Sequence, residues 1–167
     1  NWYYEVLEGG HKYNMTDIAA ALGLRQVETL WRSNIRRRRL AARYDAAFAG
    51  LPEITPLAVR ADVQTAAHLY VIKLDLDRLT VDRAAFIDAL HEEGICASVH
   101  FIPVHLHPYY REKYGYQPGA FPVAEEVYAQ SISLPLYTRM SDADVDDVIT
   151  AVSRLVERFR VTTTRAD

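Results

Sequence analysis

The chain has 167 residues, about one domain's worth, and half of them are apolar, enough to build a core. Its net charge of −3 gives no bias toward nucleic acid or an anionic membrane surface, and no apolar run approaches the roughly 20 residues of a transmembrane helix. The single cysteine, Cys96, has no internal partner for a disulfide, which fits a reducing, cytoplasmic setting.

The opening "NWYYEVLEGG" begins with Asn1 rather than Met and lacks the n-region and h-region of a signal peptide. It reads as the middle of a gene, so the expectation is a fragment of a longer protein. An extended aromatic segment and a Gly-Gly turn lead into "GHKYNMTDIAAALGLRQ". Thr16 or Asn14 is placed to cap a helix starting near Asp17, an acid that suits the helix dipole. Helix 17–22 is alanine-rich and small-faced, and Gly23 is expected to interrupt it. A second helix follows over about 25–49, with Val27, Leu30, Trp31, Ile35, Leu40, Tyr44 and Phe48 on an apolar stripe, and Gly50 and Pro52 stop it.

From there the pattern changes, placing a boundary near 50–66. "HLYVIKLDL" (68–76) alternates as a strand, Thr80 is set to cap a helix over 81–93, and Gly94 ends that helix. "ICASVHF" (95–101) reads as a second strand. "IPVHLHPYYREKYG" is a loop with a short helical piece, "PVAEEVYAQS" a helix, and "ISLPL" a third strand. Ser141 and Asp144 form a capping box for a closing helix over 142–160, whose Val145, Val148, Ile149, Val152, Leu155, Val156 and Phe159 share one face. The second part therefore reads as α+β: a small sheet with helices on one side. The polar tail "VTTTRAD", residues 161–167, is expected to be flexible.

Four groups of residues bear on chemistry. Arg32, Arg36, Arg39 and Arg43 recur at helical spacing, which reads either as a phosphate contact or as a solvated face paired with acids elsewhere. His100, His105 and His107 cluster on a strand end and the proline-shaped loop after it. They read as metal ligands, as the lining of a substrate site or as structural residues. Glu92-Glu93 and Glu125-Glu126 fall on helices and read as solvent-facing. Lys73 and Lys113 sit in contexts that do not favour a desolvated catalytic amine, whereas Lys12, beside a helix start, suits an anion. No P-loop, GxGxxG or GxSxG is present.

The motifs, taken in order, resemble a known family. "GHKYNMTDIAAALGLRQVETL" resembles the signature of DegT/StrS-type sugar aminotransferases, "VHFIPVHLHPYYREKYGY" their later His-Pro-His segment, and "SISLPLYTRMSDADVDDVITAV" their closing Leu-Pro-Leu and helix. The Lys-Tyr-Asn variant is most similar to the branch containing UDP-4-amino-4-deoxy-L-arabinose aminotransferase. The resemblance implies the C-terminal part of an aspartate-aminotransferase-type fold (fold type I). In it, residues 1–50 are a large-domain remnant with a cofactor-phosphate turn and packing helices, and 51–160 form a small domain with an antiparallel sheet.

It also implies a pyridoxal-phosphate enzyme, a homodimer, moving an amino group from glutamate to a nucleotide-linked keto sugar of the cell envelope or an antibiotic. The family's Schiff-base lysine belongs to the N-terminal half, so this chain alone is expected to be inactive, working as a homodimer or with that half, and without nucleic acid or membrane. The matching turn touches cofactor phosphate in the other subunit, which assigns Asn14, with Lys12 and Tyr13, to cofactor binding. His105 and His100 match substrate-contacting positions, whereas His11 and His107 match other residue types and carry no role. Arg32 and the rest of the basic stripe are candidates for holding the nucleotide diphosphate. Two other readings stay open: a non-catalytic dimerising or regulatory module of the same shape, and a His-based metal-binding domain.

Overall fold

The computed structural model describes residues 2–162 of the chain, so residues 163–167 of the predicted tail lie outside the described residues. Contacts divide the chain into two units, residues 1–33 and 34–167. That division falls within the first long helix, whereas the sequence reading draws a boundary after it.

In the first unit, residues 2–16 run without regular secondary structure. Thr16 then caps the helix: its Oγ1 accepts from the Ala19 N–H at 3.3 Å and its carbonyl accepts from the Ala20 N–H at 2.8 Å. Helix α1 spans Asp17–Phe48 without a break. Gly23 does not interrupt it, contrary to expectation. A helical glycine costs only about 1 kcal/mol relative to alanine, and the flanking alanines, leucines and Gln26 are strong helix formers that outweigh it.

The second unit begins on the same helix, where Leu40, Tyr44 and Phe48 recur every four residues and are fully buried. Strands β1 (Ile54–Pro56), β2 (Tyr70–Leu74) and β3 (Ser131–Leu134) form an antiparallel sheet in the order β1-β2-β3. β1 went unpredicted because it is only three residues long and ends in proline, which is tolerated on an edge strand. Helix α2 spans Arg83–Glu92, α3 Pro108–Tyr114, α4 Pro122–Gln130 and α5 Asp142–Phe159.

Two local expectations are corrected. Thr80 does not cap α2: its hydroxyl donates to the Phe159 carbonyl at 3.1 Å, and Asp82 accepts the Ala85 N–H instead, at 2.9 Å. Residues 95–101 are not a strand. Ser98 and Ser133 exchange backbone hydrogen bonds of 3.1 and 2.7 Å, a single bridge, after which the chain leaves the sheet. The alternation that suggested a strand reflects Ala97, buried, and Ile95, packed against the core.

Register explains the core. Tyr70 pairs with Leu134, Ile72 with Ile132 and Ile54 with Leu74, which puts these six side chains on one face. That face joins one cluster with Phe86 and Leu90 of α2, Val145, Val152, Leu155 and Val156 of α5, and Leu40, Tyr44 and Phe48 of α1. Two buried phenols are satisfied at its edge: Tyr44 donates to the Pro135 carbonyl at 2.9 Å and Tyr70 to Asp45 at 2.8 Å. Burial, and for Tyr70 also its bond to Asp45, pushes both phenols up. The opposite face presents Val71, Lys73, Ser131 and Ser133, and Ser133 there meets the His100 ring.

Candidate functional site

The loops beyond the sheet are built around a buried histidine, His105, and the carboxylate that bonds it, Glu125. A 3-10 turn over Val104–Leu106 carries His105 into the protein, and its side chain is only 7% exposed. Pro108 opens α3 at the first helical turn, where a missing N–H costs nothing. Gly115, at φ 70, ends α3 in the left-handed conformation that favours glycine. The chain then turns through 116–121 into α4.

His105 Nε2 lies 2.9 Å from Glu125 Oε1. The same carboxylate accepts the Gly119 N–H at 2.8 and 2.9 Å and the Phe121 N–H at 3.4 Å. The His105 bond, followed by these amides, holds the Glu125 carboxyl below its usual range. The His105 ring packs on Phe121 at 4.7 Å, Phe121 meets Tyr116 at 5.5 Å, and Tyr116 meets Tyr114 at 5.8 Å. Glu125 is therefore not the solvent-facing acid expected from the sequence. Its signal was available: an acid in the first turn of a helix faces the unpaired amides just before it. Glu126 is exposed.

Beside this pair lies a mainly apolar cavity of ≈ 670 Å³, with Val99, His100, Phe101, Phe121, Val127 and Ser131 among its walls. His100 Nδ1 shares a 2.8 Å hydrogen bond with Ser133 Oγ on the sheet's outer face, and its ring meets Phe101 edge-on at 4.7 Å. The structure thus gathers His100, Phe121 and, behind Phe121, His105 into one region. His107 is exposed and its carbonyl serves the first turn of α3, accepting from Tyr110 and Arg111 at 3.1 and 3.0 Å. Each of His100 and His105 has one nitrogen committed to a neighbour. Among the described residues no three His, Cys, Asp or Glu side chains converge as a metal-ligand set.

Lys12, Tyr13 and Asn14 belong to the first unit, all exposed in the turn before α1. Their side chains form a donor set: an ammonium, a phenol and an amide. Lys73 sits half-buried on β2, and Lys113 donates to the Tyr109 hydroxyl at 3.1 Å. Arg32 is exposed. The rest of the arginine stripe is a clamp: Arg36 bonds Asp142 at 2.8 Å and the Met140 carbonyl at 2.6 Å, Arg39 bonds Asp142 at 3.0 Å, and Arg43 bonds Asp146 at 2.5 Å. These residues fasten α1 to the start of α5, which is the paired-face reading of the stripe.

A family model described as the DegT/DnrJ/EryC1/StrS aminotransferase family matches residues 1–153. The spore coat polysaccharide biosynthesis protein SpsC of Bacillus subtilis is 48% identical over 158 residues, 94% of this chain and 41% of that protein. Among solved structures, the PLP-form of the putative sugar aminotransferase Spr1654 from Streptococcus pneumoniae superposes with TM-score 0.81 at 33% identity, over 95% of this chain and 40% of that one. PseC of Helicobacter pylori, an aminotransferase involved in the biosynthesis of pseudoaminic acid, gives TM-score 0.81 at 28% identity, over 95% and 42%. The chain spans about two fifths of the length of the curated relatives it matches. The match bears out the predicted fold: part of a sugar-aminotransferase chain, with a small antiparallel sheet under helices.

Proposed function

We infer the function from one premise: the chain belongs to the DegT/DnrJ/EryC1/StrS aminotransferase family. We propose that it is the C-terminal part of a pyridoxal-phosphate-dependent enzyme that transfers an amino group from glutamate to a nucleotide-linked keto sugar. The observation that carries the reading is the family match over 1–153 together with a backbone that follows an aminotransferase solved in its PLP-form.

Pyridoxal phosphate, when bound, supplies the electron sink that lets nitrogen pass between two carbon skeletons. This chain's residues orient and bind. Lys12, Tyr13 and Asn14 fit a phosphate by chemistry: a cation, a hydroxyl and an amide, exposed together beside a helix start. We assign them to the cofactor phosphate held by the partner subunit of a homodimer. His105 and His100 are assigned to the sugar-phosphate end of the substrate. The apolar walls contributed by Phe101, Phe121 and Val127 exclude water around it. The lysine that would anchor the cofactor is assigned to the polypeptide outside this chain, so the chain alone is inactive. The enzyme is cytoplasmic, where nucleotide sugars are made.

The test is made on the whole protein. Purified and loaded with pyridoxal phosphate, it should form 2-oxoglutarate from glutamate in step with loss of a nucleotide-linked keto sugar, and borohydride should abolish turnover. A protein that neither retains the cofactor through gel filtration nor consumes glutamate would sink the reading. Asn14→Ala should weaken cofactor retention roughly tenfold, the worth of one hydrogen bond to a charged group, measured by equilibrium dialysis.

A further inference from the structure

We propose that Glu125 is a positioning residue for His105: it fixes the ring in the tautomer protonated at Nε2, so that Nδ1 is presented to the substrate as an acceptor. The proposal rests on the reading of His105 as a substrate contact and adds what that contact recognises.

An ionised carboxylate only accepts hydrogen bonds. Glu125 is kept ionised by an unusual concentration of donors: His105 Nε2 at 2.9 Å, the Gly119 N–H at 2.8 and 2.9 Å to its two oxygens, and the Phe121 N–H at 3.4 Å. The proton between Glu125 and His105 therefore sits on Nε2. In the neutral ring Nδ1 then carries the lone pair.

Rotation cannot undo this assignment cheaply. A half-turn of the ring would set a carbon against the carboxylate and strand a charge beside a side chain that is 7% exposed. One ring face is already packed on Phe121 at 4.7 Å. Glu125 is itself held by two backbone amides of the turn into α4, those of Gly119 and Phe121, so the orientation is set by the loop and not by the side chains alone. The group that meets such an imidazole must be a donor. That selects a hydroxyl of the sugar ring over an oxygen of the diphosphate, which carries no proton to give.

The first measurement is independent of turnover. In the whole protein labelled with ¹⁵N-histidine, the resonance lost in His105→Gln identifies His105, and its shifts should show Nε2 protonated and Nδ1 bare. Glu125→Gln, which keeps the shape and an acceptor, should release that state into a tautomer mixture. A wild-type His105 protonated at Nδ1, alone or together with Nε2, overturns the proposal, because Nδ1 would then be a donor.

The second measurement is a double-mutant cycle. Glu125→Gln should lower kcat/KM for the keto sugar roughly ten- to a hundredfold, the range seen where an outer partner orients a functional histidine. In a His105→Ala background the same substitution should change kcat/KM less than about twofold. An undiminished further loss in that background means Glu125 acts through the fold and overturns the proposal. A whole protein with no aminotransferase activity defeats the functional reading instead, and the nitrogen shifts still decide the pairing.

Discussion

At the residue scale, two hydrogen-bonded carboxylates organise the second unit, and they differ in what they hold. Glu125 serves the candidate site. Glu53 serves the fold: its side chain is 3% exposed and receives both Nε and Nη2 of Arg160, at 2.7 and 3.1 Å, while its carbonyl accepts the Asp75 N–H at 2.8 Å. The pair joins the start of β1 to the end of α5. The Arg160 bond holds the Glu53 carboxyl below its usual range, against the opposing effect of burial. A depressed carboxyl contributes stability that is present above the ordinary value near about 4.3 and is lost as pH falls through the folded value. Glu53→Gln should therefore lower stability at neutral pH by about 1–3 kcal/mol, discounted for the solvent that reaches Arg160. The gap from wild type should narrow as pH falls below about 4. Urea midpoints at neutral and acid pH check both parts; a gap that widens on acidification has the wrong sign. The helix-start position of Glu125 was legible in the sequence, but the partner of neither carboxylate was. Each partner lies where only the folded chain brings it, 20 residues away for Glu125 and 107 for Glu53.

At the scale of elements, legibility followed the length of the periodic signal. The strongly patterned α5 was read with its cap and its core face. Its capping box is present in full: Ser141 N–H donates to Asp144 at 2.7 Å and Asp144 N–H to Ser141 Oγ at 3.1 Å. α1 was read as two helices because one glycine was weighted above the helix formers around it. The 95–101 segment was misread because alternation over a few residues also arises when a loop packs one side on a core. The arginine stripe needed the partner element before its meaning was settled, since its acids lie on α5. That arrangement concentrates two functions at one helix start. Asp142 receives Arg36 and Arg39, and these bonds hold its carboxyl below the usual range, Arg36 foremost. Ser141→Ala should thus cost about 1 kcal/mol as a lost cap, seen as a lower denaturant midpoint with an unchanged slope. Asp142→Asn should also destabilise, and its effect alone should shrink in high salt, because it removes charge pairing and the cap does not.

At the scale of the whole molecule, the first unit carries apolar surface that its own residues do not cover. Trp2 and Leu7 are 86 and 88% exposed, and Val27, Leu30 and Trp31, at 68, 51 and 63%, form an exposed stripe at helical spacing along α1. A contiguous patch of this kind marks a contact surface or an aggregation hazard on a protein standing alone. The relatives are more than twice as long as this chain, and in our reading the remaining polypeptide covers the stripe. The chain expressed by itself should then self-associate: sedimentation velocity should show species larger than a monomer, growing with concentration. Val27→Glu with Leu30→Glu should shift the distribution toward monomer, because each places a charge inside the patch where association would have to bury it. The same pair in the whole protein should destabilise rather than solubilise, since there the stripe is already buried. A chain that sediments as a clean monomer at every concentration would show that the stripe needs no cover. The whole protein would then have to tolerate both glutamates without loss of its melting temperature.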